Sequence, residues 1–200
     1  MYSRIAQIVT KELLSQPRFE DVHMTLVLRK SKRLAKWANH SCVTLLEGGI
    51  EDARVMDQAM KGEAIVYVAP VDITPDSRVT SIVISSMKRY QVRHLLSSNA
   101  MGIYHEVEGE FGLANQEAID DVFEELCQSE QLVVNSGLDY MIIHIPCLHD
   151  KHHLDHVVTG CFEPFYSQYV SRKSVADLVL NIIGNSVFGL HDSLALAEAR

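Results

Sequence analysis

Two small groups of residues in the N-terminal third of the chain could bind a polar or anionic ligand. Arg29 and Lys30 directly follow one apolar run of strand length, and Gly49 and Ile50 follow the next. Guanidinium and ammonium groups pair with phosphate, and Gly49 belongs to a Gly-Gly turn. Both groups come at the carboxyl ends of predicted strands, where open α/β sheets bind ligands. We therefore predict a ligand site there. The alternative interpretations are a solvated start of a basic helix and an ordinary turn.

A His-rich segment is the second place where the residue types could do chemistry. Its potential metal ligands are His149, Asp150, His152, His153, Asp155 and His156. Neutral imidazoles together with carboxylates suit zinc or nickel. Because the spacing matches no established metal site, we favour a solvated polar loop and predict no metal.

The elements that would position these residues alternate along the chain. The predicted strands cover residues 24–28, 43–46, 64–69, 92–96, 140–145 and 193–197. The predicted helices cover residues 3–16, 31–40, 52–61, 77–90, 116–135 and 171–183, and loops are expected at 105–115 and 148–156. Such alternation predicts right-handed crossovers and an α/β fold, with a doubly wound, mostly parallel sheet that carries helices on both faces.

Composition limits the classes of function. The 200 residues predict one domain over 1–200, and 47% hydrophobic residues suffice for a core. The formal charge of -8 argues against nucleic-acid binding, and no apolar run is long enough to span a membrane. The N-terminal residues are too charged to form a signal-peptide core. The four scattered cysteines fit reduced thiols of a cytoplasmic protein.

Several segments together resemble a known family. They are residues 43–52 (VTLLEGGIED), 59–68 (AMKGEAIVYV), 101–112 (MGIYHEVEGEFG), 136–143 (SGLDYMII) and 169–178 (YVSRKSVADL). In order and spacing they resemble the atypical short-chain dehydrogenases, the NmrA-like NAD(P)-binding proteins. The resemblance implies a Rossmann-type fold, NADP or NAD as the ligand, and in many members an oxidoreductase acting on an unknown small molecule. A homo-oligomer is compatible with it.

The resemblance also implies which residues contact the dinucleotide. They are Arg29, Lys30, Gly49, Ile50, Ala69, Pro70, Ala100 and Met101. Arg29 and Lys30 can pair with a 2′-phosphate, which slightly favours NADP over NAD. Ala69 and Pro70 end a strand that flanks the cofactor, where a small residue permits close approach.

The chain departs from the family pattern at its beginning. Family members open with a strand and a GxxGxxG turn that holds the pyrophosphate. Here residues 4–14 match the helix after those glycines, and the first glycine is Gly48. We therefore expect the first strand of the sheet to be missing, which would unpair the two strands that flank it. The alternatives are a shortened chain and a sheet that closes around the gap.

The catalytic pattern departs as well. Tyr104 is the candidate catalytic residue, but Glu108 stands four residues later, where the family has a lysine, and it would raise the pKa of the phenol. Ala100 takes the place of the family's serine, and His144 falls where an arginine is common. Three hypotheses follow: an NAD(P)H-dependent oxidoreductase, a non-catalytic sensor or scaffold that binds NAD(P), and a truncated form with weak or no cofactor binding.

Overall fold

A computed structural model describes residues 3–151, 154–163, 167–185 and 191–198. The strands are β1 Met24–Leu28, β2 Val43–Glu47, β3 Ile65–Val68, β4 His94–Ala100, β5 Asp139–Ile145, β6 Cys147–His149, β7 His156–Gly160, β8 Tyr169–Ser171 and β9 Asp192–Glu198. The helices are α1 Arg4–Ser15, α2 Ala53–Ala59, α3 Arg78–Arg89, α4 Gly109–Ile119, α5 Phe123–Val134 and α6 Arg172–Gly184. Short 3-10 turns lie at Pro17–Phe19, Ser31–Trp37, Pro75–Ser77 and Asp120–Val122.

The strands form one five-stranded sheet and two pairs. The five-stranded sheet has the order β3-β4-β5-β9-β7, in which only β7 is antiparallel to its neighbour. The pairs β1-β2 and β6-β8 are both parallel. Parallel neighbours are joined by crossovers that place helices on the sheet faces. The predicted α/β fold with a mostly parallel sheet is confirmed.

Helices cover both faces of this layer of strands. Along β5, Met141 and Ile143 pack into an apolar cluster with α1 and α6, whereas Tyr140 and Ile142 pack into another with α2 and α3. This alternation follows from the period of two in a strand, whose successive side chains point to opposite faces. We call these two clusters the α1–α6 cluster and the α2–α3 cluster.

The strand layer is divided between β1 and β3. Both strands contribute side chains to both clusters: Leu26 and Tyr67 pack against the α1–α6 cluster, and Val27 and Val66 against the α2–α3 cluster. Yet β1 pairs only with β2, and β3 only with β4, among the described strands. The two strands thus lie in one layer without hydrogen bonds between them.

Two sequence predictions about helices are wrong. Residues 105–115 were expected to be a loop, but α4 begins at Gly109 and is separated from α5 by a 3-10 turn. Gly112 serves packing, since a Cβ there would lie 2.2 Å from the carbonyl oxygen of Val107. The expected basic helix at 31–40 is a 3-10 segment, Ser31–Trp37, interrupted at Leu34, whose φ is -109°.

The expected loop at 148–156 is also wrong in part. Residues of this region enter β6 and β7, and β8 follows before α6. These strands of three to five residues exist through pairing with distant partners, which their local sequence does not reveal.

Elsewhere the helix ends were predicted well: α6 begins after Ser171, whose hydroxyl accepts a hydrogen bond from the Ser174 amide at 2.9 Å. In the part of the chain that the structure describes, no helix is long and apolar enough to cross a membrane.

Candidate functional site

The residues predicted to contact an adenosine group lie after β1 and β2. Arg29 is exposed, and its guanidinium forms an ion pair with Glu51 at 2.9 Å. Lys30 is also exposed, next to Arg29. At the carboxyl end of β1, Arg29 is thus engaged by Glu51, whereas the Lys30 ammonium has no ion-pair partner among the residues that the structure describes.

The two glycines after β2 have a packing role in this structure. A Cβ on Gly48 would lie 2.5 Å from a methyl group of Val55, and one on Gly49 would lie 2.6 Å from the Glu51 carboxylate. Ile50 is half-buried and packs against the α2–α3 cluster. The turn is thus held tightly against α2, whose N-terminus is capped by the Asp52 carboxylate, which accepts a hydrogen bond from the Arg54 amide.

The remaining predicted contacts come from the neighbouring strands β3 and β4. Ala69 and Pro70 follow β3 directly, while Ala100 is the last residue of β4 and Met101 comes next. Ala69 and Ala100 are half-buried, Pro70 is exposed, and Met101 is buried. The register pairs Val68 with Ser97, so β4 extends beyond the end of β3. These four residues therefore lie at the carboxyl ends of strands of the five-stranded sheet. Arg29 and Gly49 follow the strands of the separate β1-β2 pair.

A buried polar cluster lies beside Tyr104 at the carboxyl ends of β4 and β5. Its central group is the Glu130 carboxylate of α5, which is 3% exposed. One oxygen, Oε1, accepts hydrogen bonds from the Tyr104 hydroxyl at 2.9 Å and from the Ser193 hydroxyl at 2.8 Å. The other oxygen, Oε2, accepts one from the Asn99 amide at 2.7 Å. Donors from β4, from the turn after β4 and from β9 thus converge on one carboxylate of α5.

His144 of β5 supplies the positive charge of this cluster. Its Nε2 lies 2.9 Å from Glu130 Oε2, and its Nδ1 lies 3.7 Å from Glu106 Oε1. At 3.7 Å the second contact is an ion pair without a hydrogen bond, and Nδ1 has no hydrogen-bond partner among the described residues. Burial disfavours the charged ring, but the two carboxylates outweigh it and raise the pKa of His144 to about 9.

The two carboxylates respond in the opposite sense. Burial acts to raise the pKa of Glu130 and of Glu106. The charge of His144, which is hydrogen-bonded to Glu130 and forms an ion pair with Glu106, together with the other hydrogen bonds that each carboxylate accepts, outweighs burial, and the pKa of both groups is lowered. Glu106 also accepts hydrogen bonds from the backbone amides of Gly102 at 2.6 Å and Tyr104 at 3.0 Å. Near neutral pH the cluster is therefore an imidazolium between two carboxylates.

Tyr104 lies on this cluster as a half-buried aromatic surface. Its ring stacks on His144, with the two ring centroids 5.5 Å apart. The exposed Phe162 also contacts Tyr104, with ring centroids 4.7 Å apart. Burial, followed by the charge of Glu130, raises the pKa of the Tyr104 phenol. The expected direction was right, but the carboxylate responsible is Glu130 of α5 and not the exposed Glu108.

Two arginines at the N-termini of α1 and α6 were not predicted to act together. Arg4 and Arg172 both contact the Asp150 carboxylate, at 2.6 Å and 3.0 Å. The signal that could have found them is a basic residue in the first turn of each helix, where a carboxylate rather than a cation is favoured.

The His-rich segment does not form a metal site in the part that the structure describes. His149 Nε2 lies 3.4 Å from Glu198, and His156 Nδ1 contacts the Leu154 carbonyl at 2.8 Å. His152 and His153 lie outside the described residues. No group of three or more His, Cys, Asp or Glu side chains among the described residues has the geometry to hold a metal ion.

Comparison with known proteins places this fold and sequence in a family. The sequence model of the NAD(P)H-binding family matches residues 3–186. The chain belongs to the NAD(P)H-binding family. No curated protein matches the chain significantly.

Solved structures share the fold over nearly the whole chain. A short-chain dehydrogenase/reductase from Veillonella parvula, in complex with NADP, is 20% identical with a TM-score of 0.86, covering 98% of this chain and 90% of that chain. A Rossmann-fold NAD(P)-binding family protein from Shigella flexneri is 25% identical with a TM-score of 0.80, covering 98% and 89%. ChuY, an anaerobilin reductase from Escherichia coli O157:H7, is 17% identical with a TM-score of 0.78, covering 98% and 93%. The Rossmann-type fold is therefore established for this NAD(P)H-binding chain.

Proposed function

We propose that the chain is an NADPH-dependent oxidoreductase that binds its cofactor at the carboxyl ends of β1 to β4. The observation that carries the proposal is the basic pair Arg29–Lys30 directly after β1, in a chain of the NAD(P)H-binding family. Among the solved structures with the same fold, one holds NADP and another is a reductase.

The residues present fit the adenosine half of such a cofactor. Arg29 and Lys30 offer the donors that a 2′-phosphate requires, since guanidinium and ammonium groups bind phosphate oxygens. Glu51 competes for Arg29 through the 2.9 Å ion pair, so the phosphate has to displace that carboxylate. The small side chains of Ala69 and Ala100 leave room beside the strand ends.

The substrate half of the site would lie over Tyr104. When bound, a reduced nicotinamide supplies a hydride. Tyr104 and Phe162 offer an aromatic surface on which a planar substrate can stack. Because the Tyr104 hydroxyl donates to Glu130 and its pKa is raised, we assign it to orienting the substrate and not to giving up a proton.

A non-catalytic NAD(P)-binding sensor or scaffold is the second candidate. The observation that favours it is the engagement of Tyr104 by Glu130 together with Ala100 at the serine position of the related dehydrogenases. Both features remove groups that would otherwise polarise and protonate a carbonyl. The two candidates share cofactor binding and differ only in turnover.

Calorimetric titration with NADPH and NADH tests cofactor binding. We expect saturable NADPH binding that Arg29→Ala weakens by about tenfold, the loss of one charge-assisted contact, with little effect on NADH. Arg18→Ala is the matched control, because Arg18 lies between α1 and β1 and so precedes the amino end of β1, whereas Arg29 follows its carboxyl end. Absence of NADPH binding at millimolar concentration would refute the proposal.

Turnover distinguishes the two candidates once binding is established. A panel of quinones, aldehydes and ketones is incubated with the chain and NADPH, and oxidation of NADPH is followed by absorbance. Oxidation that depends on substrate supports the oxidoreductase, and we expect Tyr104→Phe to raise KM more than it lowers kcat. Binding without oxidation of NADPH by any member of the panel supports the sensor or scaffold.

A further inference from the structure

We propose that Arg4 and Arg172 bind the diphosphate of the dinucleotide, and that Asp150 is a carboxylate which the diphosphate displaces from them. The three residues, here called the arginine clamp, are joined by two ion pairs in the structure. The inference rests on the proposed function, because it assigns residues to the middle of the same cofactor site.

The arginine clamp lies at the edge of the sheet where the cofactor is proposed to bind. Ser171, directly before α6, pairs with His149 of β6, and β6 follows the carboxyl end of β5. Helix α6 therefore begins at the carboxyl edge of the sheet, and Arg172 is its first residue. Because Arg4 contacts the same carboxylate as Arg172, the N-terminus of α1 lies at this edge as well.

Helix α1 brings Arg4 between the two halves of the proposed site. Ile5, next to Arg4, belongs to the α1–α6 cluster, against which Leu26 of β1 and Tyr67 of β3 also pack. The proposed adenosine contacts follow β1 and β2, and the other proposed contacts follow β3 and β4. A dinucleotide that spans these strand ends has its diphosphate in the middle, and α/β folds of this class bind that group at a helix N-terminus. Arg4 is therefore beside the diphosphate.

The arginine clamp carries an excess of positive charge. Asp150 Oδ2 lies 2.6 Å from Arg4 Nη1, and Asp150 Oδ1 lies 3.0 Å from Arg172 Nη1, so one carboxylate serves two guanidiniums. Within the described part of the chain, neither arginine forms an ion pair with another carboxylate. Both arginines stand in the first turn of a helix, where the helix dipole disfavours a cation, and neither first turn has an acidic residue. An anion with two charges compensates this excess better than Asp150 does.

A diphosphate matches the two guanidiniums in charge and in number of groups. Each of its phosphoryl groups carries a negative charge, and a guanidinium binds phosphate oxygens through paired hydrogen bonds. The diphosphate can therefore offer each arginine a phosphoryl group, whereas both now share one carboxylate. The side chain of Arg172 is only 15% exposed, so its surroundings fix its position, while that of Arg4 is 59% exposed and can adjust to the ligand.

Asp150 can be displaced because its side chain is 61% exposed. Exposed ion pairs contribute little to stability, since water solvates both charges when they separate. Asp150 therefore competes with the cofactor for the arginines without being needed for the fold. Removing its charge should strengthen cofactor binding, whereas removing the charge of either arginine should weaken it.

Calorimetric titration of the full chain with three nucleotides tests the arginine clamp. NADPH and NADH contain the diphosphate, whereas adenosine 2′-monophosphate contains the 2′-phosphate and lacks the diphosphate. We expect Arg4→Gln and Arg172→Gln each to weaken the binding of NADPH and of NADH by about tenfold, the loss of one charge-assisted contact. The affinity for adenosine 2′-monophosphate should change by less than about twofold. Arg29→Ala should show a different pattern, with NADPH and adenosine 2′-monophosphate weakened and NADH unchanged.

Asp150→Asn distinguishes the arginine clamp from ion pairs that serve the fold alone. We expect it to tighten the binding of NADPH and NADH by about threefold or more, because the diphosphate no longer has to displace a carboxylate. This gain should be absent when Asp150→Asn is combined with Arg4→Gln and Arg172→Gln.

The matched control is Arg93→Gln, which breaks an ion pair with Asp139 at 3.1 Å at the amino ends of the strands and should leave all three affinities unchanged. Thermal unfolding shows whether each variant is folded. Where Arg172→Gln is not, Arg172→Lys takes its place, with an expected loss of about threefold in dinucleotide affinity because the paired donors are missing.

NADPH binding that Arg4→Gln, Arg172→Gln and Asp150→Asn all leave unchanged would overturn the arginine clamp and leave the proposed cofactor site intact. Weaker binding of the dinucleotides to Asp150→Asn, or equal weakening of adenosine 2′-monophosphate and the dinucleotides by the arginine variants, would also overturn the clamp. No binding of NADPH to the unaltered chain at millimolar concentration would refute the proposed function, and the clamp with it.

Discussion

The charge of His144 should make the stability of the protein fall between pH 6 and pH 8.5. His144 is fully buried between Glu130 and Glu106, and its pKa is raised from 6.5 to about 9. Because the folded state binds this proton more tightly than the unfolded state, the stabilisation is complete below about pH 6.5 and is lost as the pH rises through about 9. The lowered pKa values of the two carboxylates act at acid pH, below this window.

The size of the effect follows from the two pKa values of His144. Linkage gives about 3 kcal/mol of stabilisation at about pH 6 and about 1 kcal/mol at about pH 8.5. The free energy of unfolding should therefore fall by about 2 kcal/mol across this range. That is a measurable share of the roughly 5 to 15 kcal/mol typical of a domain.

Urea unfolding at a series of pH values, with and without His144, measures this contribution. His144→Gln should cost about 3 to 5 kcal/mol near neutral pH, because it leaves two buried carboxylates without a cation, and it should remove most of the fall. His23→Gln, at an exposed position, should keep the fall. Glu106→Gln retains the bond from His144 to Glu130 and should move the fall to lower pH. The reasoning is refuted if His144→Gln and the unaltered chain lose the same free energy over the range.

Three further substitutions test other parts of the structure. Gly102→Ala should destabilise the chain by about 2 to 4 kcal/mol in urea unfolding. The reason is that φ at Gly102 is +97° and the new Cβ would lie 2.1 Å from the side-chain amide of Asn115. The control Gly62→Ala, where a Cβ meets open space, should cost about 1 kcal/mol. Asp72→Ala should lower the free energy of unfolding by about 2 to 4 kcal/mol, because Asp72 accepts four hydrogen bonds from Thr74 and Thr80. The control Asp52→Ala, which removes a helix cap, should lower it by roughly 1 kcal/mol. An effect of Asp72→Ala no larger than that of the control would contradict this prediction. Glu51→Gln should tighten NADPH binding several-fold and leave NADH unchanged, because it frees Arg29; unchanged NADPH affinity would argue against a role for Arg29.

The sequence predicted the elements whose apolar pattern is local. Strand β1 was placed at its observed bounds, and α1, α3 and α6 within one residue at each end, because amphipathic spacing and caps define these elements without help from the rest of the fold. The short strands β6, β7 and β8 could not be found in this way. Their pairing partners are separated in sequence, and β7 runs against the parallel direction that alternation suggested.

The positions of the candidate site residues were only partly predictable from the sequence. Arg29 and Gly49 follow β1 and β2, as the sequence predicted, and their contact with a cofactor stays a prediction. The partner of Tyr104 could not be predicted. Glu130 lies on α5, far from Tyr104 in sequence, and only the fold brings the two together. A usable signal was present, since Glu130 falls between Leu126 and Val133 on the buried face of its helix. A carboxylate in an apolar stripe requires a buried partner, and His144 in the apolar strand β5 is that partner.

The most direct test of cofactor binding at the strand ends is amide chemical-shift mapping of the isotopically labelled chain titrated with NADPH. Saturable changes should appear at Arg29, Lys30 and Gly49, and around Ala69 and Met101, at the carboxyl ends of β1 to β4. No change at millimolar NADPH would contradict it. Changes confined to the amino ends of the strands, around Arg93 and Asp139, would contradict it as well.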